Sequence, residues 1–307
     1  MSRCLQLSSF SKAGHIVSLL NKSDFKILKV FASSLKNHQF LNLSTLSQYS
    51  NLGQSLVKHH LERLVKFGLI GKSNLGFTLL VTGLDIYVLK ILANRNVIDA
   101  IGPQIGIGKE AEVFLARDSL NHDKIVKLFR IGRSSFKQIK RKRDMSSGSS
   151  TWLILNIETA KKEYDILKYL RNSSISFPNP LYRSFHCIVM EPIYGTRLSE
   201  VVNLDNPQSI LEKIIEGMRI AYHKGYINGD LNEYNIVVND DNIFILDWPQ
   251  AVRTDTINAE EVLMRDVRNI LKFFSRKFNI ERDIGKTIDI IKKSESQISD
   301  GLNSTNF

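Results

Sequence analysis

The sequence predicts an α+β fold in two parts. A small helical domain ends in a two-stranded hairpin, and a larger domain opens on antiparallel strands and finishes on helices. Three observations predict it. Before residue 68, apolar residues recur at helical spacing: Phe25, Leu28, Phe31 and Leu35 form one stripe, and Leu56, Val57, His60, Leu61, Leu64 and Val65 another. Between residues 105 and 129 the pattern changes to short apolar runs, Val113–Ala116 and Ile125–Phe129, behind a glycine-rich turn. The length of 307 residues then suits about two domains of roughly 150 residues each.

The elements follow in order. Residues 22–35 and 54–67 read as amphipathic helices, with a short helix at 44–50 between them capped near Ser44 or Thr45. Gly68 ends the 54–67 helix as a left-handed cap. Leu69-Ile70, a turn at 71–76 and Phe77–Val81 make a wing. Three helices plus a wing form a winged helix-turn-helix, whose third helix commonly reads nucleic acid, although the same module also serves as a protein-docking spacer. Residues 84–98 read as a linker helix. In the second domain, Ile105 precedes the glycine turn, residues 133–151 form a long polar loop, and a helix covers about 152–171. Strand His186–Met190 comes next, then helix 207–224, strands Ile236–Val238 and Ile243–Leu246, and helices from about 259 onward. The expected bounds are 1–83 for the winged helix, 84–98 for the linker helix, 99–300 for the second domain and 301–307 for a frayed tail.

Composition narrows the class. Hydrophobic residues at 43% and charged ones at 24% are ordinary for a globular chain and exclude collagen, coiled coil and wholesale disorder. The only two cysteines, Cys4 and Cys187, are far apart, which excludes a disulfide scaffold or zinc ribbon and favours a reducing compartment. No apolar run reaches the 18 or so residues of a membrane span, and the N-terminus lacks a continuous apolar core. The expectation is a soluble, cytoplasmic protein with no membrane partner. The net charge of +11 is unevenly spread: residues 1–99 carry +8 and residues 124–143 carry +9 with no acid. Either patch alone reads as a solvated face; two together point to an acidic polymer such as nucleic acid.

The chemistry rests on five features. Gly106-Ile107-Gly108-Lys109-Glu110 is a glycine turn between strands. It is neither a Walker loop, because Glu110 stands where Ser or Thr is needed, nor a dinucleotide fingerprint, because a strand follows. Such a turn suits phosphate covered by backbone N–H groups, or it is an ordinary hairpin. Lys127 sits in the apolar strand IVKLF and wants an anionic partner, unless it points to water; Glu163, on the next helix, is the candidate. Asp230 and Asn235, in GDLNEYN, precede a hairpin that ends at Asp247. A carboxylate beside a hydroxyl nucleophile accepts its proton, and Asn235 and Asp247 supply the hard oxygens Mg²⁺ prefers.

These features resemble the RIO-type atypical protein kinases, in their second subfamily. The carrying stretches are IGIGKEAEVFLA (105–116), KLFRIGRSSF (127–136), KRKRD (140–144), AKKEYDILKYL (160–170), NGDLNEYN (228–235), LDWPQ (246–250) and MRDV (264–267), with the winged helix selecting the subfamily. The resemblance implies that residues 99–300 form a two-lobed, trimmed protein-kinase-like domain. It also implies ATP with Mg²⁺ as cofactors, Mn²⁺ being an alternative. It gives Lys127 the ATP-phosphate role, Glu163 the part of its partner, Met190 that of the gatekeeper, and Glu191–Ile193 (Glu191 and Ile193 included) that of the adenine hinge. Asp230 becomes the catalytic aspartate, Asn235 and Asp247 the metal ligands, and Asp247 also a phosphoryl acceptor. It implies action on a small ribosomal subunit precursor and its RNA, and leaves the oligomeric state open. Three positions depart from the pattern: Asn228 replaces His, Ala111 replaces Ser and Trp248 replaces Phe. With 60 residues after Asp247, an archaeal-like minimal form is expected. The alternatives are an aminoglycoside-type small-molecule phosphotransferase and a non-enzymatic assembly scaffold.

Overall fold

The computed structural model describes residues 9–108, 110–131, 149–174, 176–240 and 242–293. The chain divides into two compact units, Met1–Lys161 with Leu181–Met190, and Lys162–Pro180 with Glu191–Phe307.

The first unit begins with α1 (Ser9–Leu19), which the sequence pattern does not signal. In α2 (Lys22–Ser34) the Asn21 side chain accepts the N–H groups of Ser23 and Asp24, and Asp24 accepts the N–H of Asn21, closing a capping box. The cap of α3 (Leu43–Ser50) is Asn42 rather than Ser44 or Thr45: its Oδ1 accepts the Thr45 N–H at 2.9 Å. In α4 (Gln54–Lys66), Val57, His60, Leu61 and Leu64 are buried, while Leu56 and Val65 are exposed. On the helical wheel each of those two lies about 40° beyond the edge of the buried set, so the inward face is narrower than the apolar stripe. His60 is accommodated in this core because Asp24 meets its Nδ1 at 2.7 Å, with Arg63 reaching the other Asp24 oxygen at 3.1 Å.

The wing, β1 (Ile70–Ser73) and β2 (Gly76–Leu79), pairs from Ile70↔Leu79 to Ser73↔Gly76, so its turn is tighter than the 71–76 stretch the sequence suggests. Next comes α5 (Val81–Asn94). It starts three residues before the expected 84–98 stretch, and Leu84, Ile86, Val88, Leu89 and Leu92 belong to the same core as α2 and α4. A five-stranded sheet follows in the order β3-β4-β5-β7-β6. Its strands are β3 (Ala100–Ile107), β4 (Ala111–Arg117), β5 (Asp123–Phe129), β6 (Pro180–Ser184) and β7 (Cys187–Met190). Phe114, Val126, Leu128 and Val189 carry the core from the helices into this sheet. Cys187 is fully buried opposite Leu128, and burial pushes its thiol pKa up. The long helix α6 (Ser149–Arg171) runs from the first unit into the second.

In the second unit, Asn206 caps α7 (Pro207–His223), with proline in the first turn, where it lacks no needed donor. The two-residue strands β8 (Thr196–Arg197), β9 (Tyr226–Ile227) and β12 (Val252–Arg253) are too short to show a sequence pattern. β10 (Ile236–Asn239) and β11 (Asn242–Ile245) form the hairpin that the sequence predicts, with β8 on the outer side of β10. The amphipathic α8 (Ala259–Phe278) and the shorter α9 (Ile284–Lys292) close the unit. Among the described residues no helix is long and apolar enough to cross a membrane.

Candidate active site

In the first unit, Lys127 lies mid-strand in β5, paired across to Val113 on one side and Ile188 on the other. It is only 4% exposed, which removes the water-facing alternative, and its Nζ stands 5.1 Å from the Phe129 ring centroid. Burying an ammonium is costly unless a strong partner meets it. The glycine turn is shorter than expected, because Gly106 and Ile107 still belong to β3 and β4 already begins at Ala111. The Gly108 N–H closes it on the carbonyl of Ala111 at 2.8 Å. Neither Gly106 nor Gly108 adopts a positive φ, and a Cβ at either would meet only ordinary contacts, at 3.6 and 3.4 Å. The described fold therefore gives no internal reason for glycine at these two positions. Glu110 is half-buried in the turn; Lys109 lies outside the described residues, as does KRKRD with the whole of 132–148. Met190, half-buried, ends β7 opposite Ile125.

The second unit holds the remaining candidates. Glu191 is exposed and its N–H donates to the Asn179 carbonyl at 3.1 Å, while Ile193 is half-buried. Glu163 on α6 is buried at 1% exposure, and one oxygen accepts the Trp248 N–H at 3.5 Å. Asp230 and Asp247 are both exposed. The loop around Asp230 is braced at every residue. Gly229 takes φ 83, and a Cβ there would stand 2.6 Å from the Gln250 carbonyl oxygen, so only glycine fits. The amides of Asn232 and Asn235 donate to the Asp230 carbonyl at 2.8 and 2.9 Å. With its nitrogen so engaged, Asn235 has its Oδ1 to offer as a ligand oxygen.

Asn228 shows what replaces the expected histidine. Its amide nitrogen donates to the carbonyls of Asp247 at 3.0 Å and Leu246 at 3.3 Å, and its oxygen accepts the Asp230 N–H at 3.2 Å. One neutral amide thus joins the backbones of both candidate aspartates. Strand β11 ends at Ile245, so the strand alone does not aim Asp247. Asp247 has φ 53, a left-handed value that Asp tolerates better than most residues. It is held there by Asn228 and by Trp248, whose buried indole N–H donates to the Ile245 carbonyl at 3.0 Å while its ring meets Phe177 edge-on at 5.5 Å. The larger ring at this departure is fully packed. Lys162 donates to the Pro249 carbonyl at 3.0 Å, and burial lowers its pKa. The third departure, Ala111, is buried at the start of β4.

The sequence assigns no role to Asp266, yet it anchors the loop. From a fully buried position on α8 it accepts the Gly229 N–H at 2.8 Å and the Leu231 N–H at 3.3 Å. Burial pushes its pKa up to about 6, with the two N–H bonds pulling against the rise. Its neighbour Arg265 donates to the Gly229 carbonyl, and Asn269 to that of Leu231 at 3.2 Å. A signal is present in the sequence: an aspartate at the centre of an apolar helical face made by Val262, Leu263, Val267 and Ile270.

Known proteins resemble this chain in sequence and in fold. The RIO domain model matches residues 112–287 and the Rio2 N-terminal model residues 17–95. The serine/threonine-protein kinase rio2 of Dictyostelium discoideum is 35% identical over 85% of this chain and 51% of its own length. The RIO-type serine/threonine-protein kinase Rio2 of Methanocaldococcus jannaschii is 31% identical over 84% of this chain and 97% of its own. The chain spans about half the length of the Dictyostelium and Caenorhabditis elegans relatives. Among solved structures, the Rio2 kinase–ADP/Mg2+–phosphoaspartate complex from Chaetomium thermophilum superposes with a TM-score of 0.82 at 26% identity, covering 95% of this chain and 93% of that one. The two family models and the 31% identity to the Methanocaldococcus kinase show that this chain belongs to the RIO kinase family, in its Rio2 branch.

Proposed function

We propose that the chain is an ATP- and Mg²⁺-dependent atypical serine/threonine protein kinase or ATPase that works through an aspartyl phosphate and acts in small ribosomal subunit maturation. The observation that carries it is the loop of the second unit, where Asn228 and Asp266 fix the backbones of Asp230 and Asp247 while both carboxylates stay exposed. The residues present fit nucleotide and metal. Gly106 and Gly108 leave space that the fold itself does not require, Lys127 is a buried cation, and Asn235 and Asp247 are oxygen donors. Glu110, Met190, Glu191 and Ile193 keep the nucleotide-contacting parts that the resemblance implies, and Glu163 that of the Lys127 partner. Bound Mg²⁺ would supply neutralisation of phosphate charge.

In this reading an oxygen of Asp247 attacks the γ-phosphorus, the bond from that phosphorus to the β–γ bridging oxygen breaks, and ADP leaves. Water then attacks the acyl phosphate, giving inorganic phosphate and the free carboxylate, and in this reading Asp230 accepts the proton of the water. A serine or threonine hydroxyl in place of water gives the kinase outcome. The phosphoaspartate named for the Chaetomium complex supports this chemistry. The test is incubation with γ-labelled ATP. The label is expected to be released by hydroxylamine and to be absent from Asp247→Ala; a hydroxylamine-stable label on serine refutes the aspartyl route. For the ribosomal role, the exposed Lys58 and Lys66 of α4, which share their face with the exposed Glu62, offer two cations to RNA phosphate. Cosedimentation with small-subunit precursors, with and without ATP, checks it.

A further inference from the structure

Away from the catalytic loop, the first unit buries four ionisable side chains in one cluster. Asp85 is on α5, Glu112 on β4, Arg130 just beyond β5 and His186 at the entry to β7, and each is less than a tenth exposed. The Arg130 guanidinium donates to the two Asp85 oxygens at 3.0 and 2.9 Å, and through Nε to Glu112 at 3.0 Å. His186 Nε2 meets Asp85 at 2.8 Å. Burial raises the Asp85 pKa, but Arg130 and His186 outweigh it and hold the carboxyl below its ordinary value. Burial lowers the pKa of His186, so its neutral ring donates through Nε2. The preceding residue, Phe185, is held at φ 48, a strained value for an aromatic side chain, with its ring edge-on to Tyr87 of α5 at 5.8 Å.

Arg130 occupies a position from which movement would spread. It stands three residues after Lys127, and its own N–H donates to the Glu110 carbonyl, in the turn that follows the glycines, at 2.6 Å. The next N–H, of Ile131, donates to Asn156 on α6 at 2.7 Å. Glu112 is the second residue of β4 after the same turn and pairs with Leu128. The Arg130 side chain therefore ties the last helix of the N-terminal domain to β4, which follows the glycine turn, and to the end of β5, which carries Lys127. Buried ion clusters are a weak source of stability, since apolar replacements of similar volume are often as stable or more so. A forked guanidinium–carboxylate pair does impose one geometry.

We propose that Asp85 is a positioning residue for nucleotide binding: through Arg130, α5 holds the glycine turn and the Lys127 strand in the register that accepts the nucleotide phosphates. This rests on the nucleotide reading of Lys127 and of that turn. It follows that a partner displacing α5 changes ATP affinity, and that ATP changes affinity for that partner by the same factor.

The experiment measures MgATP affinity by calorimetry, and thermal midpoints, on the full chain and four variants. Lys127→Ala checks the underlying reading. If the unmodified chain binds no ATP, or Lys127→Ala binds it equally well, that reading fails and takes this proposal with it. Once binding is established, Asp85→Asn is expected to weaken ATP affinity about tenfold. Leu61→Ala, a cavity variant in the same core away from the ion cluster, is expected to lower the midpoint yet keep the affinity within about twofold. Unchanged affinity in Asp85→Asn overturns the proposal, and so does an equal loss in Leu61→Ala, because affinity would then merely follow stability. Should Asp85→Asn fail to fold, the apolar triple variant Asp85→Leu, Glu112→Leu, Arg130→Met carries the same test. A retained midpoint with about tenfold weaker ATP binding supports the proposal, and a retained midpoint with unchanged binding overturns it.

Discussion

Replacing Asp266 by asparagine tests the anchor of the loop that carries Asp230. The buried carboxylate accepts two backbone N–H groups, yet burial pushes its pKa up to about 6 from an ordinary 3.8, and the nearby Asp230 charge adds to the rise. A rise of about two units corresponds to about 3 kcal/mol of extra proton affinity in the folded state. Because the folded value lies above the unfolded one, protonation favours the folded chain. The contribution is fully present below about pH 4 and is lost as the pH climbs through 6. Between pH 7.5 and 5 the unmodified chain should therefore gain about 1.4 kcal/mol of stability relative to Asp266→Asn, which has no proton to take up. Turnover should move the opposite way, since the added proton occupies an oxygen that accepts the Gly229 or Leu231 N–H. The ATP turnover of the unmodified chain is expected to fall on acidification with a midpoint near pH 6. Asp266→Asn keeps one acceptor oxygen for two donors, at a cost of about 1–3 kcal/mol for the unmatched N–H. Its turnover should be low across the range and should lack that inflection. Urea unfolding and turnover, both followed from pH 5 to 8, supply the comparison. A stability difference between the two proteins that does not vary with pH refutes the argument.

Two further substitutions address the neighbouring segments. Asn228→Ala removes the amide joining the Asp230 and Asp247 backbones and is expected to lower kcat by about tenfold or more with little change in the KM for ATP; equal losses in both would place Asn228 in binding instead. Trp248→Phe deletes the indole bond to the Ile245 carbonyl and reduces contact with Phe177, and urea titration is expected to show a loss of about 1–2 kcal/mol. No loss would mean that the Asp247 conformation is held without the indole.

The helices α2, α4, α7 and α8 are legible because an apolar stripe and a cap or glycine mark each one. The β10–β11 hairpin is legible because Asp240, at φ 49, reverses two short apolar runs. Strands β6, β8, β9 and β12 are not, since two to five residues give alternation no room to repeat. Lys127, Asp230, Asn235 and Asp247 stand out by residue type and spacing. Of their supports, Asn228 shows only as a departure from the family pattern and Asp266 only by its setting in its helix, because both act through backbone N–H and carbonyl groups. Asp85 and Asp266 share one overlooked sign, an aspartate inside the apolar face of a helix, where an isolated charge has no stable place without partners. The helix over 81–94 shows the same difficulty at larger scale: its mostly apolar sequence is that of a core element, whereas its position between two domains suggests a linker.

Cys187 provides a built-in clock for the sheet that carries Lys127. Its sulfur is sealed beside β5, and burial keeps the thiol in its unreactive protonated form. With Cys4 changed to serine it is the only thiol in the chain. An alkylating reagent can then reach it only when the core packed over this sheet opens, so the labelling rate is the intrinsic thiol rate multiplied by the fraction of time the core stands open. Each 1.4 kcal/mol that keeps the core closed slows labelling about tenfold. Any ligand that tightens the strand bearing Lys127 would therefore be read as time, in a protein whose fold already hides the reporter.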